Sequence, residues 1–239
     1  PLSHADLALI LQAAAAGLAW RGLRARDVVG VYVPDAVSYV LAVHAIRAAG
    51  GVPSPIGTAS TIAMMAGQLT DCGARLLITA DPLVPAALSA ADGSWVRQVI
   101  SFDEAPGTVP FWSLLSRGVQ PPVCAGPADL GLAPYAAGPD GALEAVPVTH
   151  AQHAEQISRL SAPAPVTGSD VVLAAPPDGC AREYTVLLDL ALLQGATVVA
   201  APAGTLPDAA RRHGGAGAIV PAGTSLPTGL TLRPVTVAC

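Results

Sequence analysis

A layered α/β/α architecture built on mainly parallel sheets is predicted by three observations. Short runs with apolar centres recur along the chain, at 28–33, 52–55, 75–79, 97–101, 171–175 and 197–200. Stretches of helical length and composition separate them, which is the alternation that parallel sheets covered on both faces require. Composition agrees: 52% of residues are hydrophobic and only 12% charged, so burial must be extensive.

The elements follow in order. Residues 3–24 are Ala-rich and read as a helix, with Ser3 and Asp6 placed for a capping box at its start. A strand at 28–33 leads into a helix at 37–48, which puts Val37, Val40, Leu41, His44 and Ala45 on one face. Strands at 52–55, 75–79 and 97–101 are separated by helices at 61–71 and 82–91. Residues 118–127, with Pro121-Pro122, form the clearest linker and divide the chain into α/β halves at 1–120 and 121–239. The second half reads as a strand at 130–135, a Gly-spaced loop, a helix at 150–160, a strand at 171–175 and a helix at 184–194. Strands at 197–200, 216–220 and 230–237 complete it.

Charge and cysteine usage narrow the function. A formal net charge of −5 and a pI near 5.4, with no basic cluster denser than Arg21 to Arg26 or Arg211-Arg212, argue against a nucleic-acid partner. No uninterrupted apolar run reaches the ~18 residues of a membrane span, and the first residues lack the basic start of a signal peptide. The four cysteines, at 72, 124, 180 and 239, show no C-x-x-C pairing. Free, mostly buried thiols in a reducing cytoplasm are expected, and no metal site.

The most informative segment runs from Tyr135 to His150. An apolar run, a loop spaced by Gly138 and Gly141, and a helix opened by Thr149 have the layout of a phosphate-binding loop. Its chemistry is reversed. Gripping a triphosphate requires hydroxyls and a cation, yet no Ser, Thr, Lys or Arg lies between Tyr135 and Val148, and Asp140 and Glu144 add negative charge. Three other groups invite catalytic readings. His150 and His153 lie three apart with Glu155 nearby, but no third metal ligand is evident. Cys180 stands between Asp178 and Glu183, but only Arg182 is close enough in sequence to favour a thiolate. His44 reads as a satisfied core residue.

The loop resembles the signature of adenylate-forming enzymes: the acyl- and aryl-CoA ligases, luciferases and adenylation domains of peptide synthetases. That signature runs Tyr-Ser-Ser-Gly-Thr-Thr-Gly-Leu-Pro-Lys-Gly-Val, three residues, then His. Gly138, Gly141, Val146, Thr149 and His150 match, Ala136 and Ala137 replace hydroxyl residues, Pro139 and Asp140 replace the threonines, and Glu144 stands at the lysine. Segments at 2–7, 21–29, 31–35, 39–53, 190–199 and 230–239 resemble other parts of the family's large domain in order and spacing. The resemblance implies the N-terminal part of such an enzyme, without the mobile C-terminal lid domain. The family's aromatic-His element falls near Pro176 to Cys180, where neither residue type remains, and all 12 basic residues are Arg, leaving no lysine for the family's adenylation step.

The expectation is a degenerate adenylation-like domain with a structural or docking role. No catalytic residue and no cofactor are assigned, and Gly138, Gly141, Thr149 and His150 are a vestigial nucleotide loop. The alternative is a portion of an active ligase, which would require ATP and Mg²⁺. A further expectation is that residues 230–239, with Ile219, Val220 and Leu232, are covered by another polypeptide, whether a second copy, a partner domain or downstream sequence of the parent protein.

Overall fold

A computed structural model describes residues 2–138, 143–161, 166–175, 181–214, 217–221 and 233–237. The chain divides into two compact units, one of Pro1–Pro34 with Ser38–His150 and one of Asp35–Val37 with Ala151–Cys239. The 120/121 division expected from the sequence falls within the first.

In the first unit, α1 (His4–Trp20) starts at the Ser3 cap. The Ser3 hydroxyl accepts from the Asp6 amide and the Asp6 carboxylate reaches back to the cap. Strands β1 (Val28–Tyr32), β2 (Val52–Pro55), β3 (Leu76–Thr79), β4 (Gln98–Ser101) and β5 (Val109–Pro110) form a wholly parallel sheet in the order β2-β1-β3-β4-β5. The crossovers are α2 (Ala36–Ala48), α3 (Ile62–Asp71), capped by Thr61, and α4 (Val84–Asp92). One core lies against this sheet, with Met65 and Leu69 of α3 and Ala87 and Ala90 of α4 packed on Tyr32, Leu77 and Val99. Of the face expected on α2, Val40, Leu41 and Ala45 are buried, but His44 is half-buried and Val37 is 44% exposed.

After β5 the chain forms a 3-10 segment, Phe111–Arg117, that packs on α1. Gly17 makes the approach possible, since a Cβ there would lie 2.4 Å from the Leu114 carbonyl oxygen. Phe111 is fully buried and stacks on Phe102 at 4.1 Å, and the Arg117 guanidinium sits 3.5 Å from the Trp20 ring centre. The linker at 118–127 lacks regular structure but is anchored, because the Val123 amide donates to the Ala48 carbonyl at 2.8 Å.

The single strand expected at 130–135 is two strands in different pairings. Strand β6 (Leu130–Leu132) ends where Ala133-Pro134 turns away, and β7 (Tyr135–Ala137) starts a hairpin with β8 (Leu143–Ala145). Strand β9 (Val148–Thr149) then returns antiparallel to β6. In the second unit, α5 (His150–Ser161), β10 (Val171–Ala174), α6 (Ala181–Leu193), β11 (Thr197–Ala200), α7 (Leu206–His213), β12 (Gly217–Pro221) and β13 (Arg233–Val237) build a parallel sheet ordered β11-β10-β12-β13. Leu173, Ala175, Ala201, Leu206 and Ala210 form its core cluster. Leu232 lies outside the described residues, as do the side chains of Ile219 and Val220.

Candidate functional site

The loop region is carried by the first unit through a chain of buried polar groups. The Ala133 amide donates to the Pro53 carbonyl at 2.9 Å, and the Ser54 hydroxyl donates to the Ala133 carbonyl at 2.8 Å. Gln68 on α3 donates to Ser54 Oγ and to the Pro55 carbonyl, each at 3.0 Å. Every link pairs a buried donor with a buried acceptor, as groups withdrawn from water require.

The hairpin pairs Tyr135 with Ala145, Ala136 with Glu144 and Ala137 with Leu143. The Tyr135 hydroxyl donates to Asp71 Oδ2 at 2.5 Å, tying the loop's first residue to the end of α3. Burial first, and the bond to Asp71 second, push the Tyr135 phenol well up, so it stays a neutral donor. Gly138 follows β7 directly and is half-buried, and Glu144 is exposed on β8 opposite Ala136. Asp140 and Gly141 lie outside the described residues. What Ala136 and Glu144 offer a phosphate is a methyl group and a carboxylate.

Thr149 is not a helix residue. It ends β9 opposite Leu130, and the helix starts at His150, whose amide donates to the Asp129 carbonyl at 3.0 Å. The His150 ring lies against Gly131, where a Cβ would come within 3.0 Å of Nδ1. Gly131 therefore gives the imidazole its space, and its carbonyl accepts from Arg47 Nε at 2.8 Å. Asp129 fixes the same corner by accepting from the Gly126 amide and from Arg26 Nη2, each at 2.7 Å. The Gly126 amide first, and Arg26 second, hold its carboxyl below the usual range. Sequence reasoning missed Gly131, Arg47 and Asp129. A glycine inside an apolar run was the available signal for the first.

The two histidines of the sequence reading have different neighbours. His153 is buried in the second unit, where Nε2 lies 2.6 Å from Asp189 Oδ2 of α6, an arrangement that explains it as a structural pair. No group of three or more His, Cys, Asp or Glu side chains converges among the described residues. Cys180 and Asp178 lie outside them, while Arg182 Nε donates to Gln156 at 3.1 Å. The described thiols are less buried than expected: Cys72 is half-buried, its thiol pushed up mainly by desolvation, and Cys124 is exposed.

A family model described as AMP-binding enzyme matches residues 1–216. The chain belongs to the AMP-binding enzyme family. Solved structures agree in fold. An Archaeoglobus fulgidus long-chain-fatty-acid-CoA ligase superposes with a TM-score of 0.82 at 19% identity, over 92% of this chain and 45% of that one. MbtA of Mycobacterium smegmatis gives 0.83 at 24% identity, over 92% and 43%. A benzoate CoA ligase of Burkholderia xenovorans gives 0.78 at 18% identity, over 98% and 50%. No curated protein sequence matches significantly. This AMP-binding family chain thus spans about half the length of the solved enzymes it resembles, and the parallel, layered fold expected from its sequence is the fold it has. No helix among the described residues is long and apolar enough to cross a membrane.

Proposed function

We propose that this chain is a non-catalytic, adenylation-like domain retained for a structural or docking role with another polypeptide, in the cytoplasm and within a larger biosynthetic protein. The observation that carries this reading is the phosphate loop. Its hairpin is held by the fold's own groups, through the β7–β8 ladder and the Tyr135–Asp71 bond. Its sequence lacks the groups that grip phosphate, with Ala136 and Ala137 in place of hydroxyls and Glu144 in place of a cation. A carboxylate beside a triphosphate costs binding energy rather than supplying it. Sequence outside this chain cannot restore those positions.

A second reading, part of an active AMP-forming ligase, is favoured by one observation: the solved enzymes are about twice as long, leaving room for further motifs elsewhere. Calorimetric titration with Mg·ATP, joined to acid-dependent ATP–pyrophosphate exchange, separates the two. The expected outcome is no saturable heat and no exchange. An affinity of about 10 µM or tighter overturns the proposal.

A further inference from the structure

A cleft of about 660 Å³ opens at the amino-terminal ends of β1, β3 and β4, lined by Arg21, Arg24, Arg75 and Arg97. Four of the chain's 12 basic residues thus gather at one rim of a protein whose net charge is −5. Sequence spacing hides the cluster, because three separate loops deliver it. Arg21 and Arg24 lie between α1 and β1, Arg75 precedes β3, and Arg97 precedes β4. The backbone sets two of them side by side, since the Arg97 amide donates to the Arg75 carbonyl at 2.8 Å and Leu76 pairs with Gln98. A third joins them through Arg21 Nη1, which donates to Gln98 Oε1 at 3.1 Å.

The charges are not neutralised internally. Asp27 is the only acidic residue of the lining, and its carboxylate accepts from the Arg24 backbone amide at 2.9 Å. The guanidinium groups of Arg24, Arg75 and Arg97 make no hydrogen bond or ion pair among the described residues. Like charges gathered this way work against the fold unless an anion offsets them. Arginine forks suit phosphate oxygens, which they bind in bidentate fashion. Leu23, Val28 and Leu76 supply apolar lining, and the volume lies in the ~300–1,000 Å³ range of small-molecule sites. Ligands of open parallel sheets sit beyond the carboxyl ends of the strands. This cleft is at the opposite rim and owes nothing to the loop at 135–150.

We propose that the cleft binds a small molecule carrying two or more phosphate groups, held by Arg75 and Arg97 with Arg24 closing the site. The inference stands whether or not the loop binds ATP.

Inorganic tripolyphosphate without Mg²⁺ is the probe, titrated calorimetrically into the full 239-residue chain at about 50 mM salt, where screening is weak. One saturable site is expected. The double variant Arg75→Gln/Arg97→Gln weakens it at least about tenfold, two charge-assisted contacts being lost. The charge-matched double variant Arg159→Gln/Arg211→Gln, neither of which lines the cleft, weakens it less than about threefold. Without the probe, the cleft variant melts at or above the parent temperature, which a structural role for these arginines would not produce. Arg24→Gln, on an exposed turn, is the second variant should the double fail to fold. The inference is overturned by no saturable binding up to about 5 mM, by equal losses in the two doubles, or by tighter binding of hexaglutamate than of tripolyphosphate, which would assign the cleft to an acidic protein segment.

Discussion

Two glycines in the interiors of helices should respond to alanine in opposite directions, and the difference follows from what a Cβ would meet. At Gly67 of α3 nothing lies within 4 Å of the added atom. Alanine there supplies only helix propensity and restricts the unfolded chain, a gain of about 0.5–1 kcal/mol. At Gly17 of α1 the same gain is available, but the new Cβ would lie 2.4 Å from the Leu114 carbonyl oxygen and 2.6 Å from its Cα. Ordinary C···O contacts begin near 3.3 Å, so the 3-10 segment must retreat by about 1 Å. Overpacking on this scale costs about 1–3 kcal/mol and more where backbone must move. Gly17→Ala should therefore destabilise by about 1–3 kcal/mol net, or about 3–10 °C in melting temperature. Tryptophan fluorescence is the assay, because all three tryptophans, Trp20, Trp95 and Trp112, lie in the first unit. A Gly17→Ala protein that melts with or above the parent, while Gly67→Ala gains as expected, would show that the close approach of α1 to Leu114 is not as described.

Other outcomes follow from single groups. His153→Ala removes one partner of the buried Asp189 carboxylate and should cost about 1–3 kcal/mol, the scale of a hydrogen bond to a charged group, read by circular dichroism because the second unit has no tryptophan. Asp129→Asn tests the depressed carboxyl. Its stabilisation is complete above the ordinary pKa of 3.8 and disappears as pH falls through the lower folded value, so parent and variant melting curves should differ at pH 7 and converge in strong acid. Glu144→Lys alone should yield no ATP–pyrophosphate exchange, because the loop's hydroxyls stay absent and groups that act as a unit are not recovered singly.

Where local signals and the parallel sheet point the same way, the sequence was readable. The Ser3–Asp6 box, the helix expected at 61–71 and the strands β1 to β4 all fall within a residue or two of their expected places. The loop region was harder for a physical reason. Strands of two or three residues carry no usable period, and the break at Ala133-Pro134 depends on a partner far away in sequence, the Pro53 carbonyl. The 3-10 segment has the same origin, since it exists through its packing on α1. Helix α7 was overlooked although its signals are present: Pro207 near the start, Asp208 in the first turn, Arg211, Arg212 and His213 in the last, and left-handed Gly214 beyond it. The arginine cleft could not be read at all, because sheet order rather than spacing assembles it.

The hairpin at the loop's base separates two kinds of inheritance. Its shape is kept by main-chain pairing and by one phenol held against Asp71, neither of which uses the side chains of Ala136 or Glu144. Those positions are exposed, and any residue tolerant of a strand can occupy them without loosening the ladder. A lineage can thus rewrite what the loop says to a ligand while its architecture stays under ordinary selection for folding, so the persistence of this shape is no measure of what it still holds.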